Sequence, residues 1–433
     1  MSLAAISVAA LFLTIFVSCV TRLNVGVLAV AMAWIIGVYF GGFKVEQIAA
    51  GFPVSLFLTL VGMTLLFSQA QLNGTLDKLA HKAVRGCGGN AGVIPVMFFF
   101  VAAGLASLGP GNIASAALMA PIAMAVGGRA KIPMFLMAIM VGNGANAGSL
   151  SPFAPTGIIV NGLMMKIGMP GLQWQSYWAN FAAHAGVAFT GYLLFGGLRL
   201  FARHSNAVVP ERYAAAAAGN GGVTVSAASV HPASEPLDRN NWITLATILL
   251  LLTSVIFFHV NVGMGAFLAA GFLAAVRAAD HERAIRQIPW GVIMMVSGVT
   301  VLIALLEKTQ GLALFTDLLA RIATKESVSA VVAFITGLVS VYSSTSGVVL
   351  PAFLPTVPGL SAQLGGAYPS SIALSMSVGA HLVDVSPLST IGALCIAAVP
   401  ADVDTRKLFH ALLAWGLSMT VIGALVCYAF FRT

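Results

Sequence analysis

Charge is confined to short clusters along this chain, and what lies between them is apolar. Uncharged runs extend from Met1 to Thr21, Leu23 to Phe43, Gln47 to Leu76, Gly86 to Gly128 and Ile132 to Met165. They continue from Asn240 to Val276, Gln287 to Leu306, Ser327 to Val383 and Leu408 to Phe431. Each is at or above the roughly 20 apolar residues that cross a bilayer as a helix. The pattern predicts an all-α polytopic membrane protein. The first run lacks a basic n-region and the next follows after one arginine, so it is expected to be a retained span rather than a leader.

The pattern also repeats, at an offset of 235 to 237 residues. Asn24-Val25-Gly26 recurs as Asn261-Val262-Gly263, and Pro53 with Gly62-Met63-Thr64 recurs as Pro289 with Gly298-Val299-Thr300. Gly74 and Gly311 each open an amphipathic stretch, and Ser151-Pro152 with Gly157 recurs as Ser386-Pro387 with Gly392. Each half reads as two spans, a third span, a surface helix, a long stretch broken at its middle, an interrupted span and a closing span. This predicts two inverted repeats, 1–202 and 241–433, joined by a cytoplasmic linker at 203–240 that is rich in Ala, Gly, Ser and Val. Each repeat has five transmembrane helices plus a re-entrant hairpin, giving ten spans and two hairpins.

Composition and charge sharpen the picture. Of the 433 residues, 59% are hydrophobic and 8% charged, where a soluble chain devotes about a quarter to charge. Five spans per half is an odd number, so the second half must enter from the opposite side. With the linker inside, only Lys44, Lys166, Lys308, Arg321, Lys325 and Arg432 of the 21 basic residues fall outside, in keeping with the positive-inside rule. Both termini are then outside, in the inner (cytoplasmic) membrane. The net charge of +8 sits at segment ends rather than on one face, which does not suggest nucleic acid. Cys19, Cys87, Cys395 and Cys427 have no paired or metal-type spacing, and no metal site is expected.

The chemistry concentrates where spans break. Leu108-Gly109-Pro110-Gly111-Asn112 cannot continue a helix, and the arms on either side are expected to be about 14 to 16 residues, short for full spans. Basic clusters at both feet predict a hairpin dipping in from the cytoplasm, and Ser343-Ser344-Thr345-Ser346-Gly347 marks its partner from outside. Gly142 to Ser149, leading into Ser151-Pro152-Phe153-Ala154-Pro155-Thr156-Gly157, and His381 to Thr390 read as interrupted spans. Unwound backbone at membrane depth is tolerated only where protein, water or ligand meets it, and matched breaks mark a midplane site. Helix N-termini there suit an anion and exposed carbonyls a cation. No arginine or lysine falls within these elements, which suits a carboxylate coupled to Na⁺ or H⁺ and disfavours a channel with a basic ring.

At these residues the sequence resembles the ion-transporter superfamily, specifically the divalent anion:sodium symporters. Within it, the stretch Gly51-Phe52-Pro53 through Phe57-Leu58-Thr59-Leu60-Val61-Gly62 and the loop from Gly144 to Asn161 are similar to the malonate/dicarboxylate carriers. That family carries Ser-Asn-Thr at each hairpin tip, where this chain reads Pro110-Gly111-Asn112 and Ser344-Thr345-Ser346. The resemblance implies an elevator-type transporter on a homodimeric scaffold. By position it implies site roles for Asn112, Ser344, Thr345, Ser346 and the loop residues around Ser151 to Thr156 and Ser386 to Thr390; substrate binding is expected at Asn112, Ser151, Thr156, Ser344, Thr345, Ser346 and Thr390, and a coupling ion at Ser386 and, beside these, Ser149.

Single residues refine the site. Asp384 is the one acid well inside an apolar stretch, and burial of an acid is costly enough to imply a cation or proton function. His381 lies beside it and is assigned to the cation site with it. Asn143 and Asn146, three apart, share a helix face and are assigned to the cation site. His184 and His410 lie on closing spans, where packing hydrogen bonds account for them. One intramembrane acid without a His/Glu pair counts against a membrane enzyme. The expected function is secondary active transport of a small dicarboxylate, malonate or a C4 acid, coupled to Na⁺ or H⁺, with no cofactor besides that ion. A cation/proton antiporter or oxyanion permease of the same superfamily is the alternative.

Overall fold

The computed structural model describes residues 2–21, 23–85, 90–201, 236–400 and 403–431. The expected linker lies outside these residues up to position 235, as do Cys87, Arg22, Arg203, Arg212 and Arg432. Among the described residues all regular elements are helices. The first half comprises α1 (Leu3–Val20), α2 (Val25–Ile35, prolonged by a π turn at Ile36–Phe40), α3 (Val45–Ala49), α4 (Val54–Leu72) and α5 (Thr75–Arg85). It continues with α6 (Val93–Leu108), α7 (Gly111–Arg129), α8 (Met134–Ala147), α9 (Pro155–Lys166), α10 (Gln173–Leu194) and the short α11 (Gly197–Leu200). The second half has α12 (Arg239–Phe258), α13 (Val262–Ala275), α14 (His281–Gln287), α15 (Trp290–Lys308), α16 (Gly311–Ala320) and α17 (Val328–Tyr342). A π turn (Thr345–Val349), α18 (Leu350–Phe353), a 3₁₀ turn (Leu354–Thr356) and α19 (Val357–Gln363) then form one irregular helical stretch. The chain ends with α20 (Pro369–Leu382), α21 (Thr390–Ala397) and α22 (Thr405–Phe430).

Helix starts obey the same local chemistry in both halves. Asn24 accepts from the Gly26 N–H at 3.0 Å to cap α2, and Asn261 accepts from the Met264 N–H at 3.1 Å to cap α13. Prolines stand at the cap positions of α4 and α15, where their missing N–H costs nothing. Six helices among the described residues are long and apolar enough to cross a membrane: α1, α4, α7, α15, the stretch Thr345–Gln363 and α22. Large apolar side chains such as Phe16, Leu250, Phe257, Phe258 and Leu268 are exposed on the outside, as lipid contact requires.

Two boundaries differ from the sequence expectation. The return arm α7 has 19 residues rather than 14 to 16, because the helix starts at the tip glycine Gly111 and runs on to the basic foot Arg129. The run from Gly142 to Ala147 is helical rather than unwound. Its glycines serve packing: a Cβ on Gly144 would come within 2.4 Å of the Phe99 carbonyl oxygen, so α8 and α6 touch at the backbone.

The recurring glycines have a definite use. A Cβ on Gly26 would sit 2.2 Å from the Met294 carbonyl oxygen, and one on Gly298 would sit 2.1 Å from that of Gly26. In the matching place, a Cβ on Gly62 would lie 2.6 Å from the Gly263 carbonyl oxygen, and one on Gly263 would lie 2.7 Å from the Thr59 Cα. So α2 crosses α15, and α4 crosses α13, with backbones in contact. Each crossing takes one helix from each half. Side chains reinforce both: Asn24 donates to the Gly291 carbonyl at 2.8 Å, and Gln69 to that of Ala270 at 3.1 Å. The largest apolar core forms around these crossings, while α6, α7, α8 and α10 share a second one with α21 and α22.

A polar latch joins the halves again at the start of α12. The buried Lys78 donates to Asn241 Oδ1 at 2.8 Å and to the Asp238 carboxylate at 3.3 Å, and Asn73 donates to Thr244 at 2.7 Å. Asp238 also caps α12 by accepting from the Asn241 N–H at 2.9 Å. That backbone bond, helped by Lys78, holds its carboxyl below the usual carboxylate range.

Gly26→Ala and Gly298→Ala should each lower stability by about 1–3 kcal/mol, since a backbone neighbour cannot swing away. Gly271→Ala, with nothing within 4 Å of the new carbon, should be neutral or mildly stabilising. Thermal unfolding of the purified variants reads both effects; equal melting temperatures for all three would disprove the crossing argument. The latch predicts a pH effect. Asp238 titrates lower folded than unfolded, so its contribution is complete above the unfolded value and fades as pH falls through the folded one. Asp238→Asn should therefore flatten the acid limb of a stability-versus-pH curve and leave the neutral-pH slope unchanged.

Candidate functional site

The breaks foreseen in the sequence fall at Gly148–Ala154, between α8 and α9, and at Val383–Ser389, between α20 and α21. The first tip is set by glycine. Gly109 has φ +143° and its missing Cβ makes room for the Phe67 ring, while Gly111, at φ +80°, lies against Pro155. This seats the tip between α4 and the start of α9. A cavity of ≈ 120 Å³ opens there. With a water needing roughly 10–15 Å³ of such space, it has room for several waters or one small organic anion.

The cavity wall combines Gly109, Pro110, Gly111 and Asn112 of the tip, Pro155 and Thr156 of α9, and Ser346 of the second tip. Thr64, Ser68 and Gln71 of α4 close the far side, with Gln287 and Pro289 at the foot of α15. None of the lining residues is charged. Two helices begin at this wall, and neither N-cap residue, Pro110 before α7 or Ala154 before α9, supplies a side-chain bond; Asn112 Oδ1 takes the Ile113 N–H at 3.0 Å and the Ser149 carbonyl takes that of Gly157 at 3.0 Å. Their N-terminal dipoles are the positive features of an otherwise neutral cavity.

Of the residues expected to meet substrate, Asn112, Thr156 and Ser346 line this cavity. The others have different partners. Ser151 donates to the Ser107 carbonyl at 2.6 Å and so fastens the first break to the first hairpin. Ser344 accepts from the Gly347 N–H at 3.1 Å, capping the second tip. Thr345 donates to Asp384 Oδ1 at 2.8 Å and also bonds Ser340. Thr390 is the first residue of α21, whose start, unlike those of α7 and α9, is capped by a serine, Ser389.

The residues assigned to a coupling ion form two groups. In the second half, Asp384 is half-buried at the break, and Ser389 donates to its carbonyl. Ser386 is buried under Gly416 of α22, where a Cβ would lie 2.5 Å from that of Ser386. His381 is buried, with Nδ1 2.7 Å from the Ser377 carbonyl oxygen. In the first half, Asn146 Oδ1 accepts from Asn112 at 2.9 Å, and Ser149 donates to the Asn146 carbonyl at 2.7 Å. Asn143 Oδ1 lies 2.9 Å from His184 Nδ1. Asn180 of α10 donates to the Asn146 carbonyl at 2.7 Å, satisfying the C-terminal end of α8.

Sequence reasoning missed the α4 wall and the α10 contribution. Thr64, Ser68 and Gln71 recur at helical spacing inside an apolar span, and Asn180 and His184 are four apart on one helix face. Both patterns were readable as polar stripes on buried helices.

Known proteins resemble this chain at two levels, a family model and the fold. Residues 1–149 match the family model described as "Dicarboxylate carrier protein MatC N-terminus". No curated protein gives a significant sequence match. Among solved structures, the Alcanivorax borkumensis YdaH transporter, described as having an unusual topology, superposes with a TM-score of 0.59. That likeness covers 91% of this chain and 88% of the other at 15% identity. Neisseria gonorrhoeae MtrF, described as illuminating a class of antimetabolite efflux pumps, gives a TM-score of 0.54, covering 92% and 84% at 13% identity. At such identities the likeness concerns the fold alone. Residues 1–149 are thus similar to the N-terminal domain described for MatC dicarboxylate carriers, and the chain as a whole has an all-helical polytopic fold similar to those of YdaH and MtrF.

Proposed function

We propose that this protein is a secondary active transporter that carries a small dicarboxylate, malonate or a C4 acid, across the inner membrane in symport with Na⁺ or H⁺. The observation that carries the reading is the neutral cavity at the first tip, bounded by two helix starts whose N-cap residues supply no side-chain bond and by hydroxyl and amide side chains. A carboxylate entering it would find the donors of Asn112 and Thr156 and the positive ends of α7 and α9. The family match of the N-terminal third points to the same substrate class.

The architecture proposed for this activity is two inverted repeats, 1–202 and 241–433, of five spans and one re-entrant hairpin each. The matching order of helices and the reciprocal glycine crossings support it. Transport would be an elevator motion of hairpins and broken spans against a scaffold built on those crossings, in a homodimer. The separate core shared by α6, α7, α8, α10, α21 and α22 is consistent with a unit that moves as one body. We assign Asp384, whose Oδ1 accepts from the Thr345 hydroxyl, to the coupling machinery. The same acid also motivates the alternative, a cation/proton antiporter or oxyanion permease.

Uptake of labelled malonate and succinate into proteoliposomes, under a Na⁺ or a proton gradient, tests the proposal. Accumulation under one of the gradients is expected; none under either would reject the dicarboxylate reading. In the same assay Asn112→Ala should raise the half-saturating concentration by on the order of tenfold to a hundredfold, the worth of a hydrogen bond to a charged group. Asp384→Asn keeps an acceptor for Thr345 but removes the charge. It should abolish gradient-driven accumulation while substrate still binds, and full accumulation would remove Asp384 from the coupling step.

A further inference from the structure

A second cavity, of ≈ 720 Å³, opens at the opposite end of α4 from the first. Its rim is made of helix ends. Val54 and Ser55 open α4, Gln173 and Trp174 open α10, and Asn261 caps α13, while Lys166 closes α9 and His259 follows α12. Five helices that end around one cavity place its mouth at a membrane surface, which is the outer one if the linker is inside. One helix, α9, is shared with the first cavity. Pro155, Thr156 and Ile159 line the first, and Ile158, Asn161, Gly162 and Met165, at helical spacing, line the second. The span α4 is divided in the same way, with Leu56 and Thr59 on the outer cavity and Thr64, Phe67 and Ser68 on the inner one. Leu60 and Met63, which come between them in sequence, are buried.

The two cavities differ in charge. The inner wall has no ionisable residue, whereas Lys166 and His259 line the outer cavity and, among the described residues, no acid does. Around the rim the positive starts of α4, α10 and α13 are set against the negative ends of α9 and α12, so the helix dipoles largely offset one another. The Lys166 ammonium is then the net charge of this cavity. Hydrogen-bond donors surround it: the amides of Asn161 and Gln173, and a ring N–H of His259. Asn261 adds its Nδ2, since its Oδ1 already takes the Met264 N–H at 3.1 Å. Apolar walls at Leu56, Phe153, Ile158 and Val255 focus the field of the ammonium into the cavity.

We propose that this cavity is an outer capture site for the dicarboxylate, in which Lys166 holds one carboxylate and the neighbouring amides the other. The inference rests on the transport function proposed above and adds to it a second anion site that the hairpin tips do not form. Lys166 is exposed, so its pairing with a carboxylate is weak and screened by salt, which suits a site that must hand its anion on. The cavity follows α9 from its rim to the wall of the inner cavity, which favours a small soluble dianion over a lipid headgroup resting at the surface. Asn161, the last residue of the loop that resembles the dicarboxylate carriers, stands on this outer face of α9 and has no part in the inner cavity.

Two measurements test the inference. Trp174 lines the cavity, so its fluorescence, taken as the difference between wild type and Trp174→Phe in detergent free of anionic lipid, reports occupancy. Malonate or succinate should change that signal saturably in wild type and in Lys166→Arg, and at about threefold to tenfold higher concentration in Lys166→Gln. No saturable change, an unaltered half-saturation in Lys166→Gln, or a response to phosphatidylglycerol vesicles alone would overturn the site. In proteoliposomes supplied with substrate at the outer face, Lys166→Gln should raise the half-saturating concentration by a similar factor at low salt. The difference should vanish at high salt, as the Debye length falls from about 30 Å at 0.01 M to about 3 Å at 1 M. Lys44→Gln removes a charge from the same face outside the cavity and should leave the half-saturation as it is; an equal rise there would overturn the capture role. A saturable Trp174 signal without uptake by the wild type would reject transport and keep the anion site. Uptake without that signal would reject the site and keep transport.

Discussion

Everything else in this fold depends on two places where helix backbones touch. Lipid tails are as apolar as leucine, so spans in a bilayer gain little from hydrophobic burial against one another and are held by close packing instead. Glycine allows the closest packing. Gly26 with Gly298, and Gly62 with Gly263, bring α2 onto α15 and α4 onto α13 without a side chain between them. Because each crossing uses one helix from each half, neither half can complete its own core. The position of α4 then decides the rest: its Phe67 ring fills the space left by Gly109 and seats the first tip, and Thr64, Ser68 and Gln71 become a wall of the cavity.

The two halves share an order of helices but differ in the chemistry of their breaks. In the first, α7 and α9 start without side-chain caps beside the cavity, leaving positive dipole ends for an anion. In the second, Ser344 and Ser389 cap the corresponding starts, and the break supplies a carboxylate, Asp384, in place of an uncapped end. Position for position, the repeat sets Ser149 against Asp384 and Asn146 against His381. The two breaks thus differ in electrostatic character, with helix starts lacking N-cap side chains in the first and a carboxylate in the second.

How much of this could be read from the residues follows from what each feature rests on. The breaks at Gly148–Ala154 and Val383–Ser389 were legible because proline, glycine and serine clustered inside an apolar span interrupt the helix that would otherwise satisfy its own backbone. Glycine and proline recur in constant register along the sequence, but the pairing of Gly26 with Gly298, rather than with its own counterpart Gly263, could not be seen in one dimension. Side-chain partners were the least legible. Ser151, Ser344 and Thr345 looked like substrate ligands by position, yet their hydroxyls hold Ser107, Gly347 and Asp384. A hydroxyl in an apolar helix serves a ligand or a neighbouring carbonyl equally well, and only packing decides between them.

Charge compensation sets the last constraint. A dianion moving through a low-dielectric interior must be met by positive charge, and the cavity wall contains neither lysine nor arginine. Helix ends supply partial charges that are fixed to the protein and stay behind when the substrate leaves. They lower the cost of binding but are the same with substrate bound or absent. A coupling cation can travel with the anion, so it reduces the net charge that must cross. Binding of the two then becomes mutually favourable, because each lowers the cost of burying the other, and by linkage the effect on affinity is equal in both directions. For the proposed symport, a cavity wall without lysine or arginine would leave charge compensation to the coupling cation, whereas a resident lysine would stabilise a bound anion whether or not that ion was present.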